Sequence, residues 1–198
     1  MRASIFRCRI MRASVAAAVV AAIMASASVA VAQRHRDPLT QSEIDQVRDV
    51  SWEPQQRLSL YVQFSRARLV KLEEMRNDPK TTNRAQQTHD RLDDFLLLYD
   101  ELNDNIDTYV GRKDDIRKPL KVVIAADNEF QGKLRALKDA ADVKPEEYRQ
   151  YEFVLTNVLE TVDSSAEDHK KLLEDQQDAA KHKKLNSASS AKGEGRSE

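Results

Sequence analysis

The sequence predicts an all-α fold, an antiparallel up-and-down four-helix bundle preceded by a short N-terminal helix. Three observations lead to this class. Apolar residues after Gln33 recur at the three- and four-residue spacing of amphipathic helices. Glycine occurs only four times in the chain. No Asn-Gly or Asp-Gly pair, the usual sequence signal of a β-hairpin, occurs anywhere.

The first 32 residues have the organisation of a cleavable Sec-type secretory signal peptide. Four arginines precede an apolar run of 18 residues that extends from Val15 to Ala32 and ends in small residues. This run is short and rich in alanine, so we expect cleavage before Gln33 and no stable membrane insertion afterwards. The expected location is periplasmic or secreted. Translation from Met1 and translation from Met11 would both leave a complete signal.

Cleavage changes the inventory of chemical groups. It removes Cys8, the only cysteine, so disulfides, thiolate metal sites and cysteine nucleophiles are excluded. It also removes four of the 32 basic residues and none of the 33 acidic ones, which leaves a net charge of about −5. This balance argues against nucleic-acid binding. The remaining chain is long enough for one domain with a hydrophobic core.

The first two helices are predicted from their capping residues. After a linker at 33–39, Thr40 and Glu43 have the spacing of a capping box, in which each side chain hydrogen-bonds the backbone N–H of the other residue. This helix is expected to end at about Val50. Pro54 suits the first turn of the second helix, which should run to about residue 76, where an Asn-Asp-Pro sequence ends it.

The middle of the chain has the most regular periodicity. Leu92, Tyr99 and Ile106 are seven residues apart with other apolar residues between them, which gives a heptad with apolar a and d positions. The same register continues after Gly111 and includes Leu120.

This continuity leaves two architectures open. Residues 111–118 form a loop between two helices of the bundle, or one long helix spans 82–140, kinked at Pro119 and flanked by two shorter helices. The bundle is favoured because it closes a fuller core and because a proline inside a helix costs roughly 3 kcal/mol. Residues 40–185 would then form the helical bundle domain.

A last helix is predicted after Pro145. Apolar residues recur at helical spacing from Tyr148 to Val162 and become fewer around Leu173. Residues 186–198 consist mainly of serine, alanine, glycine and charged residues, a composition that predicts a disordered tail.

Asp127 falls on an a position of the heptad and is therefore predicted to face the core, where an unpaired carboxylate is costly. If the chain turns back near residue 113, antiparallel pairing places Tyr99 opposite Asp127, so that the tyrosine hydroxyl can donate to the carboxylate. The same construction brings Leu159 to this level. We interpret Tyr99 and Asp127 as a structural polar layer that fixes helix register. A functional acid with a perturbed pKa is the alternative interpretation.

No metal or cofactor is predicted. The chain has neither the Glu-x-x-His pairs of di-iron bundles nor a His-Glu-x-x-His motif. His89 and Asp93 are four residues apart and could share a metal, but two ligands make a weak site. His169 is on the core side of the last helix, where apolar residues become fewer, and we expect a solvated or core-margin histidine there.

Leu97 and Leu98 extend the apolar surface of the third helix beyond the stripe that a bundle needs to bury. One explanation is that the first helix covers them with Ile44 and Val47. The other is an exposed surface for a second copy or for a protein partner, so Leu97 and Leu98 are a candidate interaction surface.

No motif indicates catalysis, since there is neither a Gly-rich phosphate loop nor a Gly-x-Ser-x-Gly elbow. The sequence thus predicts an exported, non-enzymatic helical protein that acts through contacts with an unknown protein partner or with itself. A weak metal-binding protein is an alternative function.

Residues 39–43, Leu-Thr-Gln-Ser-Glu, resemble the Leu-Thr-x-x-Gln motif of small periplasmic helical chaperones and envelope-stress sensors. Position 43 is Glu where the motif has Gln, and no second copy occurs. The resemblance implies a further alternative, a chaperone or stress sensor with an exposed surface for clients.

Overall fold

The structure is a computed structural model that describes residues 37–140 and 145–194, with side chains as far as 183. Helices make up nearly all of these residues. No strand is present in these ranges, so the predicted all-α class is confirmed. The predicted signal peptide at 1–32 lies outside the described residues. The six helices are α1 Gln41–Asp49, α2 Pro54–Asn77, α3 Arg84–Gly111, α4 Arg117–Asp139, α5 Pro145–Tyr148 and α6 Glu152–Glu194.

The predicted capping box begins α1. The Glu43 N–H donates to the Thr40 hydroxyl oxygen at 3.3 Å, and the Thr40 N–H donates to the Glu43 carboxylate at 2.7 Å. Each bond satisfies a backbone donor that a helix N-terminus would otherwise leave unpaired. The resemblance motif at 39–43 therefore has a structural role here, as the start of a helix.

Contacts at both ends hold α1 antiparallel against α2. The Arg68 guanidinium donates to the two carboxylate oxygens of Glu43 at 2.8 and 2.6 Å and to the Pro38 carbonyl oxygen at 2.8 Å. Near the other end, Arg57 donates to the Val47 carbonyl oxygen at 3.4 Å. The Arg68 and Glu43 side chains are 7% and 13% exposed, so this ion pair is largely shielded from water.

A loop at 112–116 separates α3 from α4, so the alternative of one helix over 82–140 is wrong. Lys113 adopts a left-handed backbone conformation with φ 61°, which turns the chain. Pro119 lies in the first turn of α4, where its missing N–H breaks no helical hydrogen bond. The proline therefore starts a new helix at no cost, whereas it would have kinked a continuous one.

Long-range hydrogen bonds show that the four long helices form two antiparallel hairpins, α2 with α3 and α4 with α6. In each hairpin, moving forward along one helix means moving backward along its partner. The bonds run from Arg57 to Asn105 (2.6 Å), from Arg76 to Thr88 (3.0 Å), from Gln131 to Asp163 (2.8 Å) and from the Ile116 N–H to Gln176 (3.1 Å).

The two hairpins pack so that parallel helices are neighbours. Arg66 of α2 binds Glu129 of α4 at 2.8 Å, and Asn103 of α3 donates to Ser165 of α6 at 3.0 Å. Consequently α3 and α4, although consecutive, lie diagonally across the bundle, and the 112–116 loop crosses one end.

The centre of the core is aromatic. The Phe130 ring of α4 meets the edges of two rings of α3, Phe95 and Tyr99, with centroid distances of 5.3 and 6.2 Å. Every buried apolar residue of the described chain lies between Val47 and Ala166. This part of the chain therefore contains its own core, and we expect residues 33–198 to fold without the first 32.

The end of the chain differs from prediction in two respects. The helix predicted from Tyr148 is divided: α5 ends there, a turn follows, and α6 begins at Glu152. The backbone is then helical as far as Glu194, inside the segment 186–198 whose composition predicts a disordered tail. Alanine and lysine are good helix formers and can extend a helix that is already nucleated. None of the described helices is long and apolar enough to cross a bilayer.

Acid should release α1 from the bundle. Burial raises the pKa of Glu43, but the hydrogen bonds from Arg68 and Thr40 outweigh burial and lower it from 4.5 to about 2. Because the folded-state pKa is below the unfolded one, the ion pair contributes its full stability above about pH 4.5 and loses it as the pH falls towards 2. Amide exchange in 41–49 should accelerate in this interval.

Glu43→Gln should remove this pH dependence and lower the unfolding free energy by about 1–3 kcal/mol, since a largely buried charged hydrogen bond is lost. Asp45→Asn, which changes an exposed carboxylate of the same helix, is the matched control. Equal acid sensitivity in the wild type and in Glu43→Gln would contradict the role given to this ion pair.

Candidate functional site

A carboxylate with two hydrogen-bond partners lies in the middle of the bundle. Asp127 of α4 is fully buried. Its Oδ1 accepts a hydrogen bond from the Tyr99 hydroxyl of α3 at 2.8 Å, and its Oδ2 lies 2.9 Å from Nδ1 of His169 on α6. This separation is a hydrogen-bond distance, and His169 is the donor in the tautomer that carries its proton on Nδ1. The three side chains, hereafter the polar layer, connect three helices through one carboxyl group.

The surroundings of Tyr99 keep its hydroxyl protonated. Burial raises the pKa of Tyr99 far above its usual range, and the Asp127 charge raises it further. The Tyr99 ring also stacks on Phe95 with a centroid distance of 5.8 Å. Tyr99 is thus fixed as a donor to Asp127, in the shared layer that antiparallel pairing about residue 113 predicts.

The sequence places His169 on the core side of the last helix but does not place it in this layer. We expected a solvated or core-margin histidine and placed Leu159 at the level of Asp127. Instead, α5 and the turn after it occupy the start of the predicted last helix, so a later part of α6 reaches the layer. Gln131 donates to Asp163 at 2.8 Å, which puts Asp163 about one turn from the level of Asp127. His169 lies on the stripe of α6 that continues the apolar core positions, which is the sequence signal that could have found it.

Further polar groups adjoin the layer. Asn103 of α3 donates to the Ser165 hydroxyl of α6 at 3.0 Å. Within the described chain, the buried Asn103 Oδ1 and the Ser65 hydroxyl oxygen have no hydrogen-bond partner. These two oxygens are the unsatisfied part of an otherwise well-paired cluster.

Ser65 adds the fourth helix to this level of the bundle. Its neighbour Arg66 binds Glu129, two residues after Asp127, so the parallel packing of α2 and α4 places Ser65 level with Asp127. Each long helix therefore contributes a polar side chain at this depth. Such an arrangement opposes sliding of any helix by one turn, because a slide would bury unpaired polar groups.

Access, rather than composition, limits the chemistry of this cluster. A tyrosine, a carboxylate and a histidine could serve as acid and base, but in this bundle each is 4% exposed or less. Clefts of the described chain lie at the 112–116 loop and between α2 and α4, and residues outside the polar layer line them. The geometry therefore favours a structural role for the polar layer.

The described residues contain no cluster of three or more side chains suited to a metal ion. His89 and Asp93 do approach each other, with Nδ1 and Oδ2 separated by 3.4 Å, and Asp90 Oδ1 lies 3.8 Å from the same nitrogen, but all three side chains are partly exposed.

The predicted interaction surface at Leu97 and Leu98 needs correction. Leu98 is fully buried in the core, and Leu97 is partly buried. The reason is that α3 has neighbours on both sides, α2 and α6, and faces α4 across the centre. Helix α1 also lies beside the α2–α3 seam, since Arg57 contacts both the Val47 carbonyl oxygen and Asn105 of α3. Leu98 consequently belongs to the core.

Among the large apolar side chains of the described residues, the two most exposed are aromatic and lie away from Leu97 and Leu98. Trp52, between α1 and α2, is 82% exposed, and Phe153, at the start of α6, is 85% exposed. They occupy opposite ends of the bundle. Trp52 precedes α2, whose start lies at the same end as the later turns of α6, whereas Phe153 lies in the first turn of α6, at the other end. Aromatic side chains are enriched in protein interfaces, so both are candidates for binding.

Comparison with profiles of known families, with curated proteins and with solved structures found no match for this chain. The resemblance to the Leu-Thr-x-x-Gln motif thus rests on residues 39–43 alone. Its Glu in place of Gln has a physical counterpart here, since the charge of Glu43 binds Arg68.

Removal of either donor to Asp127 should destabilise the bundle. Tyr99→Phe and His169→Leu each leave one oxygen of a buried carboxylate unsatisfied, which costs about 1–3 kcal/mol. Urea denaturation of residues 33–198 measures the change. Tyr109→Phe, a buried tyrosine two turns or more from the layer on the same helix, is the matched control and should change stability much less.

The destabilising effect of Tyr99→Phe should depend on Asp127, because the Tyr99 hydroxyl acts on that carboxylate. In the Asp127→Leu background, Tyr99→Phe should cost far less than in the wild type. A cost of Tyr99→Phe that is the same in both backgrounds would show that the hydroxyl does not act through Asp127.

Proposed function

We propose that this chain is an exported, non-enzymatic protein that acts through protein contacts on the outside of a rigid helical bundle. The observation that carries the proposal is the contrast between inside and outside. The titratable cluster is sealed in the core, whereas Trp52 and Phe153 are almost fully exposed. The acid–base groups of the polar layer have no access to a substrate, whereas two large aromatic side chains suited to binding face outwards.

Export is supported by the sequence of residues 1–32, with its arginines, apolar run and small-residue ending. The periplasm or the extracellular space is the location that follows, with Gln33 as the mature N-terminus. A chain without cysteine after the signal needs other means of stability there, and the large aromatic core supplies them.

A groove between α2 and α4 is the best candidate for the contact. It has a volume of about 170 Å³, enough for a large apolar side chain of a partner, and it lies towards the end of the bundle that carries Phe153. Leucines form its floor, and the Lys133–Glu73 ion pair at 2.7 Å borders it. The leucines of the groove are Leu69, Leu72, Leu134 and Leu137. An apolar centre with a charged rim is the usual composition of a protein interface.

A second candidate function is a periplasmic chaperone or stress sensor. It is favoured by the position of α1, which begins at the motif-like segment 39–43 and covers the seam between α2 and α3. Release of α1 would expose Phe64, which is now 7% exposed, as an apolar surface for an unfolded client. Suppression of client aggregation by near-stoichiometric protein, enhanced by Glu43→Gln, would support this alternative.

The contact proposal predicts a partner that depends on the groove. Chemical cross-linking of tagged full-length protein in its native envelope should capture the same partner repeatedly. Leu137→Glu and Phe153→Ser should each reduce the captured amount about tenfold, as expected when an interface centre loses about 1.4 kcal/mol. Phe153→Ser should change the unfolding free energy by less than about 0.5 kcal/mol, because the side chain is exposed.

Val122→Ser is the matched control, since Val122 is a 45% exposed apolar residue of α4 outside the groove. Unchanged capture in both test variants would contradict the contact surface. Substrate turnover by purified residues 33–198 would overturn the non-enzymatic proposal itself.

A further inference from the structure

The end of the bundle opposite Phe153 combines an exposed tryptophan with an excess of positive charge. The Arg57–Asn105 bond places the start of α2, and so Trp52, level with the end of α3. Gln176 of α6 accepts from the Ile116 N–H and donates to the Asp114 carbonyl oxygen, which fixes α6 against the 112–116 loop. Trp52, this loop, the first turns of α4 and α6 near Gln176 are hereafter called the basic end.

Residues 112–121 of the basic end carry a net positive charge, whereas residues 33–198 as a whole are net negative. Residues 112–121 contain five basic side chains and two acidic ones. Both acids are neutralised locally, Asp114 by Arg112 at 3.2 Å and Asp115 by a two-point contact with Arg117. Three lysines of this segment, and Lys183 of α6, are exposed and form no salt bridge within the described residues: Lys113, Lys118, Lys121 and Lys183. Acids also occur at this end, Glu53 beside Trp52 and Glu174, Asp175 and Asp178 beside Gln176, with Asp178 paired to Lys181 at 2.8 Å. The cationic surface is therefore the strip formed by residues 112–121 and Lys183.

The surface of the basic end has broad, open clefts. Two adjoining clefts of about 630 Å³ each lie along the loop, with Arg117 and Asp115 in both. Charged side chains, two glutamines and two alanines line them, without a large apolar residue. Such clefts suit several separate anionic groups better than one buried ligand.

Trp52 indicates which kind of anionic surface fits. It is the only tryptophan of the chain, and its side chain is 82% exposed. Val110, at the same end, is 37% exposed. Tryptophan favours the headgroup level of a bilayer, where its ring is partly in apolar surroundings and its N–H can bond. Lysines around it are attracted to anionic headgroups.

We propose that the basic end docks on the surface of an anionic phospholipid bilayer. Trp52 enters the headgroup layer, and Lys113, Lys118, Lys121 and Lys183 face headgroup phosphates. The attachment is peripheral and involves no spanning segment. It leaves the groove between α2 and α4 free, since that groove is nearer the other end, so the inference does not depend on the proposed protein contact.

The single tryptophan makes the test direct. Residues 33–198, which omit the apolar N-terminal segment, are mixed with vesicles of phosphatidylglycerol and phosphatidylcholine, and with vesicles of phosphatidylcholine alone. Trp52 emission should shift to shorter wavelength, and the protein should sediment, with the anionic vesicles only. High salt should reverse both effects, because the attraction is screened.

Substitutions distinguish binding through the lysines of the basic end from a general attraction of any surface lysine to the membrane. Lys118→Gln/Lys121→Gln should weaken vesicle binding about tenfold or more, since each lysine near an anionic membrane contributes on the order of 1 kcal/mol. Lys71→Gln/Lys138→Gln, two exposed lysines towards the other end, is the matched control and should bind like the wild type. Trp52→Ala should reduce sedimentation without lowering stability.

Four results would overturn the proposal: no binding to anionic vesicles, equal binding to phosphatidylcholine vesicles, equal weakening by the control pair, or an equal emission shift with inorganic phosphate or duplex DNA. The last would assign the surface to phosphate groups or nucleic acid in solution. The cross-linking of the protein partner is measured separately, so failure of either proposal leaves the other standing.

Discussion

The carboxylate of Asp127 is the constraint on which the rest of the bundle depends. A buried charge without partners would be prohibitively costly, so the fold must bring donors to it from other helices. Tyr99 comes from α3 and His169 from α6, and each occupies one oxygen. The Asp127 carboxylate thereby fixes the axial register of α3, α4 and α6 relative to one another. The surrounding aromatic rings exclude water from it.

This constraint explains features that otherwise look unrelated. The diagonal placement of α3 and α4 directs Tyr99 and Asp127 towards the central axis, where they meet. The division of the last predicted helix into α5 and α6 sets which turn of α6 arrives opposite Asp127. The surfaces available for binding are a groove between α2 and α4, a basic end with Trp52, and α1, which the shielded Glu43–Arg68 ion pair helps to hold in place.

The sequence was sufficient wherever the controlling interaction is local or periodic. The capping box at Thr40 and the start of α2 at Pro54 follow from spacing alone, and the pairing of Tyr99 with Asp127 follows from the heptad once the chain turns back near residue 113. The register of α6 could not be predicted from the sequence. It depends on the number of residues in the connection between α4 and α6, and hydrophobic periodicity does not give that number. Burial of Leu98 was missed because a heptad identifies the central stripe of a helix but not how many neighbours flank it. The Glu43–Arg68 pair joins residues 25 positions apart, and no sequence pattern links them.

The most direct test of the central role of Asp127 replaces the whole polar layer by apolar residues, Tyr99→Phe/Asp127→Leu/His169→Leu, and measures helix register. Residues 33–198 contain no cysteine, so spin labels can be attached at Asp104→Cys on α3 and Glu167→Cys on α6, both exposed positions. If Asp127 fixes the register, the wild-type background gives one narrow distance distribution. The substituted protein then stays helical and comparably stable but gives a broadened or multiple distribution. One narrow, unchanged distribution in a stably folded substituted protein would contradict this role.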